Sequence, residues 1–175
     1  MRLGFNEENV TQLLGVTEHC RGLSKVTAGM LLDDDRGSEL PLLPYPHEHE
    51  VDSRSHALLK EIAAVESARL GYDGVPKVWR VLSRNRHYLD ATWTKHQTLL
   101  SGPGIDPLGR LAVGLAVSVT NASRYFVRYF TAALSKAGWD SGRILEIIGV
   151  VDHYNSLNTI ASGMQIDSDI RPEGA

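Results

Sequence analysis

The chain has 175 residues and a mass of 19.3 kDa, the size of one ordinary domain with a single core. Apolar residues make up 42% of it and charged residues 22%, which is the composition of a globular protein. The net charge of −3 and the pI of about 6.1 exclude a strongly basic surface. Since such a surface is what holds nucleic acid or an anionic membrane, we expect neither as a partner.

The cysteine content limits the chemistry and indicates the compartment. Cys20 is the one cysteine, so a disulfide within the chain, a CxxC redox pair and a multi-cysteine metal site are excluded. No apolar run approaches the roughly 18 residues of a membrane-spanning helix. The first ten residues, MRLGFNEENV, are polar and acidic and lack the pattern of a secretory signal. A cytoplasmic protein is therefore expected.

Residues 1–52 are expected to form an irregular N-terminal arm. They contain one short helical pattern from Glu7 to Leu14, an acidic run at 33–35 and the proline-rich stretch PLLPYP at 41–46. Proline fixes φ and removes a backbone donor, so the last stretch is predicted to be extended. The helical domain is predicted to occupy residues 53–175.

Apolar spacing and capping residues predict helices through most of that domain, and strand patterns are missing, so the fold class is all-α. Early helices are predicted at 53–70, at 76–85 and at 87–100. A fourth begins at the cap Asp106 and the first-turn Pro107. Its apolar residues recur as one buried face: Leu108, Leu111, Ala112, Leu115, Ala116 and Val119. A fifth helix is predicted at about 122–137 and buries Phe126, Val127, Phe130 and Leu134. A sixth begins after the cap Asp140, and its apolar residues are Ile144, Leu145, Ile148, Val151, Leu157, Ile160 and Ala161.

The order of three helical blocks resembles a known family. The blocks are VPKVWRVLSRNRHYLDATWTKHQTLL, PLGRLAVGLAVSVTNASRYFVRYF and GWDSGRILEIIGVVDHYNSLNTIA. Together, over roughly residues 60–165, they resemble the alkylhydroperoxidase D-like, or carboxymuconolactone decarboxylase-like, superfamily. The resemblance implies an all-helical domain that forms a homo-oligomer (a dimer, trimer or hexamer). It also implies a site at a helix N-terminus near a subunit boundary.

The redox motif of that family is degenerate in this chain. Redox members carry a Glu on one helix and Asn-x-Cys-x-x-Cys-x-x-x-His at the start of the next. Here the Asn is kept as Asn121, while the two Cys positions hold Ser123 and Phe126. The His position holds Phe130, and the Glu falls near Leu111. The final-helix pattern Tyr-Phe-Asn-x-x-Asn-Arg becomes HYNSLNT at 153–159, which keeps both Asn and loses the Arg.

Without these groups, dithiol peroxide reduction has neither its nucleophile nor its resolving thiol. A serine hydroxyl starts many pKa units above a thiol, and a helix dipole contributes only about 0.3–1 kcal/mol, less than one such unit. Ser123 therefore cannot become an alkoxide by position alone. No cofactor is expected for this chain. Either Ser123 contacts a substrate or it only caps its helix.

The candidate site combines groups from two helices. Asp152 or His153 would transfer protons, because burial in a pocket can shift a pKa into a useful range. Arg124 or Arg128 would hold a carboxylate, aided by the positive end of the helix. Further lining residues would be Phe126, Phe130 and Trp93 as an apolar wall, together with Ser123 and Asn155. The alternatives are that the phenylalanines are core residues and that the polar groups belong to solvated or interface surfaces.

Two other groups carry less chemistry. His47-Glu48-His49-Glu50, with His56 nearby, offers metal-ligating side chains, but its spacing matches no helix-borne zinc motif and the arm is a poor place for a rigid site. No metal is therefore expected. Cys20 lies outside the matched blocks, and a single-cysteine peroxidase would need an external thiol as resolver.

Three functions stay open at this stage. The first is a cofactor-free acid/base enzyme of the lyase type, acting on a small organic acid or cyclic compound, as the resemblance implies. The second is a catalytically inactive binding or scaffold protein that keeps the fold. The third is peroxidase activity through Cys20. Whether the protein is an enzyme at all depends on whether polar groups converge on a pocket.

Overall fold

A computed structural model describes residues 6–32 and 42–167. Those residues form helices and no strand, which confirms the all-α class. The α-helices are α1 (Glu7–Gly29), α2 (Ser53–Leu70), α3 (Lys77–Leu82), α4 (Arg86–Ser101), α5 (Pro107–Thr120), α6 (Arg124–Lys136) and α7 (Ser141–Gly163). Across the described ranges, no helix has both the length and the apolar character needed to cross a bilayer.

The N-terminal segment differs from the predicted irregular arm. Helix α1 has 23 residues, far beyond the short pattern expected from Glu7 to Leu14. Val16, Cys20 and Leu23 are spaced to share one face of α1, and all three are buried in the common core. The arm prediction is therefore wrong for residues 7–29, because their apolar positions are too sparse among polar ones to reveal a buried face. The acidic run at 33–35 lies outside the described residues.

The predicted helix ends are largely confirmed because they depend on local chemistry. Gly71 ends α2 in the left-handed region at φ 66°. The Asp106 carboxylate accepts from the backbone N–H of Gly109, with Pro107 opening α5. Ser123 caps α6, its Oγ accepting from the Phe126 N–H at 3.5 Å.

Helix α5 lies at the centre of the fold, in contact with α1, α4, α6 and α7. Its buried face consists of Arg110, Leu111, Gly114, Leu115 and Ser118. The predicted face was rotated from this one, since Ala112 and Ala116 are only partly buried. Gly114 explains the difference, because it lets the ring of Phe130 pack directly against the α5 backbone.

Helix α7 buries little of its apolar surface. Ile144 and Val151 are buried as predicted, but Leu145, Leu157 and Ile160 are exposed. The second half of α7 therefore presents an apolar surface that the described residues of this chain leave uncovered.

Replacing Gly114 tests the close approach of α5 and α6. In Gly114→Ala, the added Cβ would overlap the ring of Phe130, so we expect a loss of about 1–3 kcal/mol in the free energy of unfolding. The matched control is Gly149→Ala, whose Cβ meets nothing within 4 Å and which should gain up to about 1 kcal/mol in helix propensity. Urea unfolding of both variants measures the difference, and equal midpoints would contradict the packing.

Candidate functional site

The positions that the resemblance aligns with the redox motif form part of the core in this chain. Phe126 and Phe130 have no exposed surface, and Leu111 is buried beside them. Ser123 is 2% exposed, and its hydroxyl lies 3.5 Å from that of Thr27 on α1. These side chains are therefore packed inside the fold, and Ser123 acts as the helix cap.

The polar residues of α7 lie on the surface instead. Asp152 and His153 are exposed, and the His153 ring packs edge-on against that of Tyr154. The amide of Asn155 donates to Thr120 Oγ1 at 3.3 Å. The structure therefore does not bring Asp152 and His153 together with the arginines of α6 in one pocket of this chain.

Arg124 and Arg128 do line a pocket, whose volume is about 400 Å³. It opens between α2, the start of α3 and α6, and we call it the Arg–Tyr pocket. Its walls are mostly aromatic and apolar side chains with a cationic rim: Leu32, Leu70, Tyr72, Pro76, Lys77, Arg124, Tyr125, Arg128, Tyr129 and Ala132. A concave apolar space with a few charged groups at its edge is the usual form of a small-molecule site.

Trp93 packs elsewhere, against a buried polar cluster. Its ring stacks on that of His96 at 5.6 Å between centroids, and its Nε1 donates to Glu61 at 3.0 Å. It is therefore a wall of that cluster and not of the Arg–Tyr pocket.

The polar cluster joins α2, α4 and α6 around Arg69. Arg69 Nη1 donates to Glu66 Oε1 at 2.7 Å and to the Tyr129 hydroxyl at 3.0 Å, and lies 2.9 Å from His96 Nε2. The Tyr129 hydroxyl is also 3.3 Å from His96 Nε2. Glu66 and His96 have no exposed surface, and Tyr129 is 6% exposed. Because the Tyr129 ring lines the Arg–Tyr pocket, the polar cluster lies directly behind one wall of that pocket.

A second histidine extends this cluster to the opposite side of the core. His19 on α1 places Nε2 3.0 Å from His96 Nδ1. His19 also lines a cleft of about 250 Å³ between α1 and α4, which we call the α1–α4 cleft. Glu18 and Lys95 form an ion pair across this cleft.

Burial and charge set the protonation states in the cluster. Burial opposes ionisation of Glu66, but the neighbouring His96 ring and the charge of Arg69 outweigh it, so the pKa of Glu66 lies below its usual value. Burial lowers the pKa of His96 and that of His19, the latter to about 3. Burial also raises the pKa of Tyr129 well above its usual value. At neutral pH the cluster therefore holds an ionised Glu66–Arg69 pair, two neutral imidazoles and a protonated phenol.

The sequence analysis missed this cluster, although two signals were present. Arg69 falls in the same helical register as Leu58, Ile62 and Val65, where a charged residue is out of place. His96 likewise falls in register with Leu89, Trp93 and Leu100, which are all buried. A polar residue at a core position indicates a partner from another helix, but the sequence does not say which one.

Cys20 is a poor nucleophile in this environment. It is 1% exposed, and burial raises the pKa of its thiol to about 12. Because the thiolate is the reactive form, the geometry gives no support to peroxide reduction at Cys20.

No group of three or more metal-ligating side chains occurs within residues 6–32 and 42–167. In the His47-Glu48-His49-Glu50 stretch, the two imidazoles stack at 5.5 Å between ring centroids, and Glu50 accepts from the backbone N–H of His47. These contacts tie the segment to itself.

The geometry defines an all-helical protein with a concave apolar pocket, a buried polar cluster and a single cysteine. The fold is similar to the crystal structure of an alkylhydroperoxidase AhpD core from Rhodospirillum rubrum, with 31% identity and a TM-score of 0.56. The match covers 68% of this chain and 90% of that one. This chain therefore belongs to the alkylhydroperoxidase AhpD family. Neither the family models nor the curated proteins gave a match.

The buried histidines predict acid-sensitive folding. The pKa of His19 is about 3 in the folded protein against 6.5 for a free imidazole, so the unfolded chain binds more protons between these values. Stability should be fully present above pH 6.5 and fall on acidification, by about 1.4 kcal/mol per pH unit for each such histidine. Below pH 4.5 the lowered pKa of Glu66 adds loss in the same direction.

Urea unfolding between pH 7.5 and pH 4 measures this slope. His19→Gln should flatten it, because a non-titrating side chain replaces the imidazole. His87→Gln, at an exposed position, is the control and should leave the slope unchanged. Equal slopes in all three proteins would show that His19 titrates alike in the folded and unfolded chain.

Proposed function

We propose that this chain is a non-redox member of its family that binds a small organic acid with a cyclic body in the Arg–Tyr pocket. It acts on that acid by proton transfer of the lyase type, without a cofactor. One observation supports this above all. Helix α6 carries both the arginines that line the pocket and Tyr129, whose hydroxyl contacts Arg69 and lies near His96.

The pocket suits such a ligand on size and charge. About 400 Å³ accommodates a single ring with its substituents, and tyrosine rings supply flat apolar surface for it. Arg124 and Arg128 lie one turn apart in the first turns of α6, where the helix dipole favours a negative group. The carboxylate would therefore lie toward α6 and the ring toward Leu70 and Tyr72.

Proton transfer is assigned to Tyr129 and His96. The phenol stays protonated, and Arg69 stabilises the negative charge that would develop on its oxygen as the proton leaves. Neutral His96 accepts protons at Nε2 in this arrangement. The acid/base role of Asp152 and His153 stays a prediction of the sequence. Neither residue lines the Arg–Tyr pocket.

Binding is tested with benzoate against its neutral isostere benzamide. Benzoate should shift the amide resonances of α6 and α2 in NMR titrations, and benzamide should bind more weakly. Arg128→Gln should weaken benzoate about tenfold through the lost charge-assisted hydrogen bond, without affecting benzamide. Arg143→Gln on α7 is the matched control. Equal binding of both probes would contradict an acid-specific pocket.

Turnover is tested by incubating cyclic unsaturated and keto acids in D₂O and measuring deuterium uptake by mass spectrometry. Tyr129→Phe should abolish uptake while keeping benzoate affinity, since the ring remains.

A second candidate, the non-catalytic binding protein, is favoured by the filled interior at Phe126 and Phe130. If benzoate binds at α6 and no acid takes up deuterium, the protein is a non-catalytic binding protein.

The exposed apolar surface of α7 supports the homo-oligomer that the family resemblance implies. Val150, Tyr154, Leu157 and Met164 are 57%, 61%, 47% and 69% exposed. With Ala161 they alternate at spacings of four and three residues, which is the seam of paired helices. A second copy of α7 is the occupant that such a seam fits. A cytoplasmic location stays a prediction of the sequence.

A charge in that seam should dissociate the oligomer. Leu157→Asp would place a carboxylate against an apolar partner, so the mass measured by sedimentation should fall to that of one chain. Asn158→Asp adds the same charge next to the seam and should keep the mass of the unaltered protein. If the unaltered protein already sediments as a single chain, α7 does not pair with itself.

A further inference from the structure

Two separate openings contact the buried polar cluster, and one chain of side chains joins them. Tyr129 lines the Arg–Tyr pocket and His19 lines the α1–α4 cleft. His96, which is fully buried, lies between them with one ring nitrogen toward each neighbour. The contacts are 3.3 Å from the Tyr129 hydroxyl to His96 Nε2 and 3.0 Å from His96 Nδ1 to His19 Nε2.

Arg69 fixes the tautomers along this chain. A guanidinium only donates, so the 2.9 Å contact between Arg69 Nη1 and His96 Nε2 favours an accepting nitrogen, with the two Nη1 protons shared among Glu66, Tyr129 and His96. Neutral His96 then carries its proton on Nδ1 and donates it to His19 Nε2. Neutral His19 in turn carries its proton on Nδ1. With these tautomers Tyr129 donates to His96 and His96 donates to His19, which lines the α1–α4 cleft.

We propose that Tyr129, His96 and His19 form a proton path from the Arg–Tyr pocket to the α1–α4 cleft. One passage breaks the Tyr129 O–H bond and forms N–H on His96 Nε2. The Nδ1 proton of His96 moves to His19 Nε2, and the Nδ1 proton of His19 leaves to water in the cleft. No electron is exchanged, and the phenolate at Tyr129 recovers a proton from the ligand. The identity of that ligand rests on the proposed function, whereas the contacts that form the path do not.

The surroundings of the path keep both rings neutral between passages. Burial lowers the pKa of both imidazoles, so a proton does not stay on either ring at neutral pH. The charged groups that face it are Glu66 and Arg69 at one end and the Glu18–Lys95 ion pair at the other. Arg69 and Lys95 oppose a resident positive charge on the rings, while Glu66 stabilises one in transit.

The tautomers are measured directly in the full chain with ¹⁵N-labelled histidine. Ring nitrogen shifts should show Nδ1–H on both His96 and His19, with a scalar coupling across the hydrogen bond between them. An Nε2–H form of His96, or absence of the coupling, would overturn the path. This outcome needs no ligand, so it is separate from failure of benzoate to bind.

Conduction is measured as exchange of the His96 Nδ1 proton with water. His19→Leu removes the exit, so exchange of the His96 Nδ1 proton should slow by about tenfold relative to the unaltered protein. A substitution that merely loosened the core would instead speed this exchange. His19→Gln gives a second, polar block with the same expectation. His87→Gln, at an exposed position outside the path, is the control and should keep the rate. Faster or unchanged exchange in both His19 variants would show that His19 is only a packing residue.

Discussion

The position of α2, α4 and α6 depends on a single requirement, that a carboxylate without exposed surface needs a cation and hydrogen bonds. Arg69 supplies both to Glu66 Oε1, while Glu66 Oε2 is buried without a hydrogen-bond partner among the described residues. Removing one partner of such a buried pair costs about 3–5 kcal/mol, because the other charge stays buried and uncompensated. Arg69 in turn reaches Tyr129 on α6, Gln97 and Ser101 on α4. One guanidinium therefore sets the register of three helices and the orientation of the groups behind the Arg–Tyr pocket.

Local chemistry explains which parts of the fold could be predicted from the sequence. Gly71, Asp106 and Ser123 act on the backbone within a few residues, so their helix ends could be placed without knowing the neighbours. The length of α1 could not, because its polar residues dilute the apolar spacing and only the packing of Val16 and Leu23 reveals the buried face. The face of α5 was misplaced for a related reason. Gly114 looks neutral in sequence, yet it admits the ring of Phe130.

In the candidate site, too, pairs close in sequence could be predicted and contacts between distant positions could not. Arg124 and Arg128 could be paired from sequence because residues four apart share a helix face. The link from His96 to His19 spans 77 positions and from Arg69 to Tyr129 spans 60. No spacing rule reaches that far, so a polar residue in an apolar register was the one available signal. The same signal, polar residues within an apolar helix, predicts Asp152 and His153 as site residues, but both are exposed on α7.

Adjacent residues on a helix point about 100° apart, and α6 uses this to separate two environments. Phe130 packs toward α5 at the position where redox relatives keep a histidine, and Tyr129, its neighbour, points toward α2 and α4. Filling the first direction with two phenylalanines removes the space that a thiol couple would need. It leaves the second direction unaffected, because its polar groups come from helices that the redox motif does not include. This chain therefore combines the family fold with a phenol, two imidazoles and an ion pair beside a pocket.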